Sequence, residues 1–385
     1  MLQDGEDLPM AGRLTQSSSS SARGAARWFG LVAAVFGLGI SLVAVFAVRG
    51  FVRGWPLRGD ERVLLFTTAA HLVDDGKAWQ VPVHGWVFEP ETDDAARTAA
   101  LATVKKALHL DPSAPEAALL EQRLRSFLVD SQSRKKVAVR VAGTEHVFGP
   151  TEADGHFLGS VRVPRETAAR FVRDGILYIE AISPAGPVTG TVLMVGPRGP
   201  SVISDIDDTI KDSQVSDKRA LLRNTFLNEF RTVRGMPELY RRFAAEGAAF
   251  HFVSSSPWQL YPTLEAFSHA AGFPEASLEL RRVHLKGLGA LELVSDPMKT
   301  KSPAIESLLA AYPSRRFCLI GDSGEEDPEV YGESARRHPE QVACIFIRNV
   351  THDTGDAARY RAAFRGVDPG RWHLFTEPEQ LSWPK

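Results

Sequence analysis

From residue 201 onward the sequence predicts an α/β fold on a parallel, Rossmann-like sheet, and three observations carry that reading. Short apolar runs recur, separated by stretches of helical spacing. The runs lack polar alternation, as strands covered on both faces do. Three of them end in polar clusters, DIDDT at 205–209, SSS at 254–256 and GDSGEED at 321–327. Parallel sheets collect their chemistry at the carboxyl ends of their strands. Ahead of this region the chain reads as a small β-rich domain and, before that, an N-terminal transmembrane helix.

The elements follow in chain order. Residues 1–27 are polar and rich in Ser, Ala and Gly, the composition of a disordered tail. Trp28 to Val48 carries no charge and is bracketed by Arg27 and Arg49. As a helix it would run ~31 Å, enough for a bilayer core, and 28–48 is expected to cross a membrane once. Arg13, Arg23 and Arg27 on one side against Arg49, Arg53, Arg58 and Arg62 on the other decide almost nothing about orientation. The cytoplasm is the side favoured for the catalytic domain. Residues 49–75 are read as juxtamembrane and 76–197 as a β-rich accessory module. Within that module WQVPVHGWVFEP, KKVAVRVAG, GHFLGSVRVP and GILYIEAIS have strand patterns, and 93–108 and 115–130 have helical spacing. His84, His146 and His156 are scattered along it and read as structural or exposed rather than as ligands.

GPRGP at 196–200 is a strong breaker and marks the boundary to a domain at 198–385. There strands are expected at 201–206, 248–254, 277–281, 315–321 and 342–347. Helices are expected at 217–230, 236–246, 259–271 and 302–311. Cys318 and Cys344 lie in apolar runs and read as two buried strand thiols. A net charge of −2 offers no field for nucleic acid, and two cysteines are too few for a thiolate metal site.

Three carboxylates within DIDDT are costly in a core unless something neutralises them. Asp205 ends its strand, where its carboxylate can attack phosphorus. Asp207, two residues on, is placed to act as acid for a leaving oxygen and then as base for water. The carboxylates of Asp205 and Asp322, with the Asp207 main-chain carbonyl, offer hard oxygen ligands for Mg²⁺. Ser254 can hold a phosphoryl oxygen, and Lys301 can neutralise the transferring group. Taken singly, each cluster has a plain reading as an acidic turn, a helix cap or an acidic loop. A calcium loop is excluded because the central Gly and the downstream Glu are missing at the required spacing.

In this order, each after an apolar strand, the clusters resemble those of the haloacid dehalogenase phosphatase superfamily. SDIDDTIKDS, VRGMPELY, FHFVSSSPWQLYP and FCLIGDSGEEDPEVY together resemble the catalytic domain of the actin-patch-protein phosphatidate phosphatases, and more distantly that of the lipins. The similarity covers about 198 to 352. It implies that Asp205 is the nucleophile, Asp207 the acid/base, and Ser254, with Ser255 beside it, the phosphate-binding hydroxyls. It further implies that Lys301 is the charge-neutralising lysine and that Thr209 orients the first loop. Asp322 would join Asp205 on Mg²⁺, with Asp327 in or behind the shell.

Large cap domains often cover such sites, but the intervals from Asp207 to Ser254 and from Ser256 to Lys301 leave room only for a minimal cap. The expected activity is therefore Mg²⁺-dependent hydrolysis of phosphatidate, a membrane lipid, to diacylglycerol through an aspartyl-phosphate. The alternatives are a phosphatase of a phosphoprotein or soluble ester, and a non-catalytic membrane-anchored scaffold. The acyl preference and oligomeric state are not legible.

Overall fold

The computed structural model describes residues 54–90, 98, 102, 105, 114–282 and 297–383. An 11-stranded sheet comes first in the chain. Its path runs through Trp55–Pro56, Lys135–Val141, Ile176–Ile182, Val188–Met194, Thr68–Val73, Ala78–Glu89 and Arg62–Leu65. The long strand Ala78–Glu89 also pairs antiparallel with His156–Pro164. Alternate residues, among them Val81, Val83, Val137, Val139, Leu177 and Ile179, enter one core, the period of two expected of a sheet with one buried face. Helix α1 (Ala114–Leu124) stops short of the expected 130, where the chain tightens into a turn at Arg125–Phe127. Thr68–Val73 and Val188–Met194 were not expected as strands, and TAAHLV explains why for the first. Its own β-propensity is weak, and its neighbours in the sheet supply the pairing. His84 and His156, far from scattered, meet at 2.8 Å and stack on Phe66. The helix expected over 93–108 lies largely outside the described residues.

The second sheet has six strands, all parallel where paired. In chain order its elements are β1 (Gly199–Ser204), α2 (Lys218–Phe226), α3 (Met236–Ala245), β2 (Ala249–Pro257), α4 (Tyr261–Ala270), β3 (Ala276–Arg281), α5 (Pro297–Ala311), β4 (Arg315–Asp322), α6 (Asp327–Arg337), β5 (Val342–Arg348), α7 (Ala358–Ala363) and β6 (Trp372–Phe375). The strand order is β3-β2-β1-β4-β5-β6, which reverses direction between β1 and β4, the crevice where ligands of open α/β sheets bind. Successive residues feed opposite faces. Val202, Phe250, Phe252 and Ile320 pack with Leu239, Tyr240 and Tyr261 of α3 and α4. Ile203, Val253, Leu319 and Ile345 pack with Ile305, Leu309 and Val330 of α5 and α6. Helix α6 was not expected, because DPEVYGESARR carries a Pro and a Gly. The Pro sits in the first turn, where its missing N–H costs nothing.

The breaker GPRGP is pinned. The Arg315 guanidinium donates to the carbonyls of Gly196 (2.9 Å), Arg198 (2.7 Å) and Pro200, and its Nε donates to Ser201 Oγ. The two sheets belong to one compact unit, Gly54–Lys385. Tyr261 accepts from the Thr67 N–H at 2.8 Å, and Trp258 packs edge-on against Trp86 and His156.

Two expectations are corrected. Cys318 and Cys344 face one another across β4 and β5 with Cα atoms 4.6 Å apart, and they form a disulfide rather than two separate thiols. The single-pass membrane localisation, with its anchoring, is also withdrawn: among the described residues no helix is long and apolar enough to cross a membrane. The longest of them, α5, has 15 residues, or ~22 Å against the ~30 Å of a hydrocarbon core. The segment 28–48 itself lies outside the described residues.

Burial holds two histidines neutral. His84 and His251 are both pushed down to about 3, chiefly by burial. An unfolded histidine titrates near ~6.5, so between these values the unfolded chain binds the extra protons. Stability from each is therefore full above pH ~6.5 and is lost as pH falls toward 3, with a slope approaching ~1.4 kcal/mol per pH unit each. Urea unfolding at pH 7, 6, 5 and 4 is expected to give a shallower acid limb in the double variant His84→Gln/His251→Gln than in the parent. Identical limbs would show that these rings do not control acid sensitivity.

Candidate active site

β1 delivers its last residue to the switch point, and Asp205 follows it. The Asp205 N–H donates to the Ile320 carbonyl at 2.9 Å, continuing the β1–β4 ladder. Its carbonyl accepts from Ser204 Oγ, which accepts from the Tyr240 hydroxyl, both at 2.6 Å. The fully buried carboxylate has two partners: Lys301 Nζ lies 2.8 Å from Oδ1, and Thr209 Oγ1 donates to Oδ2 at 3.2 Å. Burial, then the charges of Asp327, Glu325 and Asp322, hold the Asp205 carboxyl well above the usual range against the pull of Lys301.

Lys301 reaches this point from α5, with no exposed side-chain surface. Its Nζ also contacts Asp327 Oδ1 at 2.5 Å and Glu325 Oε2 at 3.0 Å. Burial alone would lower its pKa, but Asp205, Asp327 and Glu325 outweigh that and raise it well above the ordinary value. The ammonium is held charged by three carboxylates.

β4 ends in Asp322. Its Oδ1 accepts from the N–H groups of Gly324 (2.6 Å) and Glu325 (3.2 Å), while Oδ2 is buried with no hydrogen-bond partner. Asp327, at the start of α6, spends Oδ1 on Lys301 and accepts the Asp322 N–H on Oδ2 at 3.1 Å. Gly321 is required here: a Cβ on it would lie 2.2 Å from Asp327 Oδ2. Ligand oxygens of Asp205, Asp322 and Asp327 all lie within 4.8 Å of one another. Burial, then Asp327 and Glu325, raises the Asp322 carboxyl well above its usual range. Concentrated negative charge with one bare buried oxygen is the donor set a hard divalent cation takes.

The Asp207 carboxylate stands apart from that trio. Lys211 Nζ and Ser213 Oγ contact its Oδ1 at 2.6 and 2.7 Å, and Ser256 Oγ donates to Oδ2 at 2.7 Å. Burial would raise its pKa, but Lys211 and these hydrogen bonds bring it below the usual range. Asp207 therefore rests as a carboxylate, the form of a base. Its expected place among the metal ligands rests on the main-chain carbonyl alone.

Sequence reasoning left Asp208 without a role, and the geometry supplies one. At φ 55° it sits in the left-handed region, which Asp tolerates better than most residues. Its carboxylate accepts three successive N–H groups, Ser213 (2.8 Å), Gln214 (2.8 Å) and Val215 (2.6 Å). Asp208 closes the loop that brings Lys211 and Ser213 onto Asp207, and Arg348 donates to its carbonyl at 2.7 Å.

β2 contributes the serines. Ser254 Oγ accepts from the Ser256 N–H at 3.0 Å, which leaves its own proton available, and Ser255 Oγ is buried without a partner. Lys211, Ser256 and Glu325 were missed. Lys211 had a signal, as the one base inside DIDDTIKDS; Glu325 had none beyond lying in GDSGEED. From outside these motifs, Arg359 of α7 donates to the Ser323 carbonyl at 2.5 Å and to that of Glu325, and pairs with Glu329.

Residues 200–349 match the family model described as phosphatidate phosphatase APP1, catalytic domain, in agreement with the resemblance read from the motifs. An uncharacterized protein of Schizosaccharomyces pombe is 38% identical over 163 residues, covering 40% of this chain and 26% of that protein. Phosphatidate phosphatase APP1 of Saccharomyces cerevisiae is 29% identical over 255 residues, covering 63% of this chain and 42% of that protein. The chain thus spans less than half the length of either relative. Among solved structures, a HAD family hydrolase from Salmonella enterica serovar Typhi covers 60% of this chain at 10% identity, with 86% of its own chain covered. Its TM-score of 0.29 is too low to argue from. A phosphatase, the enzyme class expected from the motifs, agrees with the family match and with the named relative.

Lys301 is the counter-charge for three buried carboxylates, and its removal strands them. Lys301→Met is expected to lower the unfolding free energy in chemical denaturation by about 3–5 kcal/mol. An unchanged midpoint and slope would mean that the cluster is neutralised by something else.

Proposed function

We propose that residues 198–385 are a Mg²⁺-dependent phosphatase domain of the haloacid dehalogenase type with a minimal cap. Its reaction is the hydrolysis of phosphatidate to diacylglycerol through an aspartyl-phosphate on Asp205. The observation that carries this reading is the meeting of Asp205, Asp322 and Lys301 at the carboxyl ends of β1 and β4, with Asp322 Oδ2 left bare. The substrate is the one for which the matched family and the S. cerevisiae relative are named. The accessory module against which Trp258, just past the serines, is packed takes in the strands at Trp55–Pro56, Arg62–Leu65 and Thr68–Val73 as well as residues 76–197, so the stretch read as juxtamembrane belongs largely to its sheet.

Asp205 and Asp322 are the residues that fit Mg²⁺, which takes one or two carboxylates and fills its other positions with water and phosphate oxygens. Asp327, with both oxygens engaged, stands behind them. When bound, the ion would neutralise charge on the phosphoryl oxygens.

The protein's own groups perform the transfer. An Asp205 carboxylate oxygen attacks phosphorus, and the bond from phosphorus to the glycerol oxygen breaks on the opposite side. Asp207 rests ionised, so the proton for that oxygen arrives with the phosphate monoanion and passes through Asp207 to the leaving alkoxide. The Ser254 and Ser255 hydroxyls donate to phosphoryl oxygens, and Lys301 balances their charge. Water then attacks the acyl phosphate while Asp207 takes its proton and passes it to the departing phosphate, which returns Asp207 to its ionised form. The bond from phosphorus to the Asp205 oxygen breaks, releasing inorganic phosphate and restoring the carboxylate.

The full chain, presented with phosphatidate in detergent micelles and Mg²⁺, is expected to form diacylglycerol and phosphate. Chelation should stop turnover, and Asp205→Asn should reduce it by at least about a thousandfold. Calorimetry should detect Mg²⁺ binding to the parent and weaker binding to Asp322→Asn, independent of turnover. Undiminished turnover by Asp205→Asn would overturn the nucleophile assignment, and turnover insensitive to chelation would overturn the metal dependence.

A further inference from the structure

A cleft opens beside Asp207. Its polar end is formed by Asp207 and Ser255, and its wall by Leu221, Leu222 and Phe226 of α2 with Leu260. Phe226 and Leu260 are buried, whereas Leu221 and Leu222 are half-exposed. Asp207 lines this cleft, and Asp205 does not.

That asymmetry has a chemical direction. In phosphoryl transfer the attacking and leaving oxygens lie roughly in line on opposite sides of phosphorus. With Asp205 as the attacking group at the buried end, and Asp207 handling the leaving oxygen, the ester group departs on the Asp207 side. We infer that the apolar wall of α2 and Leu260 seats the first carbons of the leaving group and selects uncharged, apolar esters over polar or further-phosphorylated ones. This inference rests on the phosphatase reading above. The polar end supports the selection: Asp207 and Glu325 both border the cleft, their ammonium partners Lys211 and Lys301 are spent on them, and no basic side chain among the described lining residues could receive a second phosphate on the leaving group. The chain thereby distinguishes substrates through a helix that contributes none of the proposed catalytic groups.

A series of n-alkyl phosphates from ethyl to octyl tests the seat without a membrane or micelle, using the full chain with Mg²⁺. In the parent, kcat/KM is expected to rise about threefold per added methylene over the first few carbons. Leu221→Ser and Leu222→Ser should flatten that slope, and Leu221→Met and Leu222→Met should keep it. A flat series in the parent, or a slope unaltered by the serine variants, overturns the seat. A serine variant that unfolds is replaced in the comparison by Leu221→Asn or Leu222→Thr, checked by thermal melting. A clear slope without diacylglycerol formation from phosphatidate upholds the seat and sinks the lipid substrate. No hydrolysis of any ester overturns both.

Discussion

One ammonium group faces three carboxylates at the centre of this protein, and the arrangement of the catalytic half follows from satisfying it. Lys301 cannot reach solvent, and neither can Asp205 or Asp327. A buried charge of either sign is tolerated only with close partners. The switch in strand order provides the geometry, because β1 and β4 are neighbours whose carboxyl ends deliver Asp205 and Asp322 side by side. α5 and α6 then supply the lysine and Asp327 from the same face of the sheet. One Lys301 does not balance this cluster, and the shortfall is what leaves Asp322 Oδ2 unmatched and favours a cation there.

A second lysine divides the acidic groups into two roles. Lys211 holds Asp207 as an anion away from the trio, 2.6 Å from its own ammonium. The loop that permits this is set by Asp208, whose carboxylate gathers three main-chain N–H groups in a conformation reached only at positive φ. Neighbouring aspartates in one motif thus meet three different partners: Lys301 for Asp205, Lys211 for Asp207 and a run of main-chain N–H groups for Asp208.

Much of the fold was legible because the parallel sheet writes itself as short apolar runs. The runs at 201–206, 248–254, 277–281, 315–321 and 342–347 all correspond to strands, with ends shifted by a few residues. Asp205 and Asp322 were legible for a related reason: charge at the end of an apolar strand is conspicuous, whereas Lys301, on α5, was legible as a lysine at a helix start between two acidic motifs. What escaped was whatever depends on tertiary contact. Strand Thr68–Val73 has little propensity of its own, β6 is only four residues long, and α6 hides behind a Pro and a Gly. The pairing of Cys318 with Cys344 depends on the register of two strands, which spacing along the chain does not reveal. Lys211 and Glu325 are ordinary surface-type residues in sequence, and only the closing of their loops buries the first and half-buries the second.

The Arg359 contacts carry a consequence for where this protein begins and ends as a physical object. The stretch that matches the family model, 200–349, excludes the arginine that clamps the carbonyls of Ser323 and Glu325. It also excludes Trp86 and His156, against which Trp258 is packed. The family match and the network of contacts therefore have different borders in this chain. Contacts that fix the Ser323–Glu325 loop and Trp258 thus arrive from beyond both ends of that match, and cutting the chain at 200 and 349 would remove them.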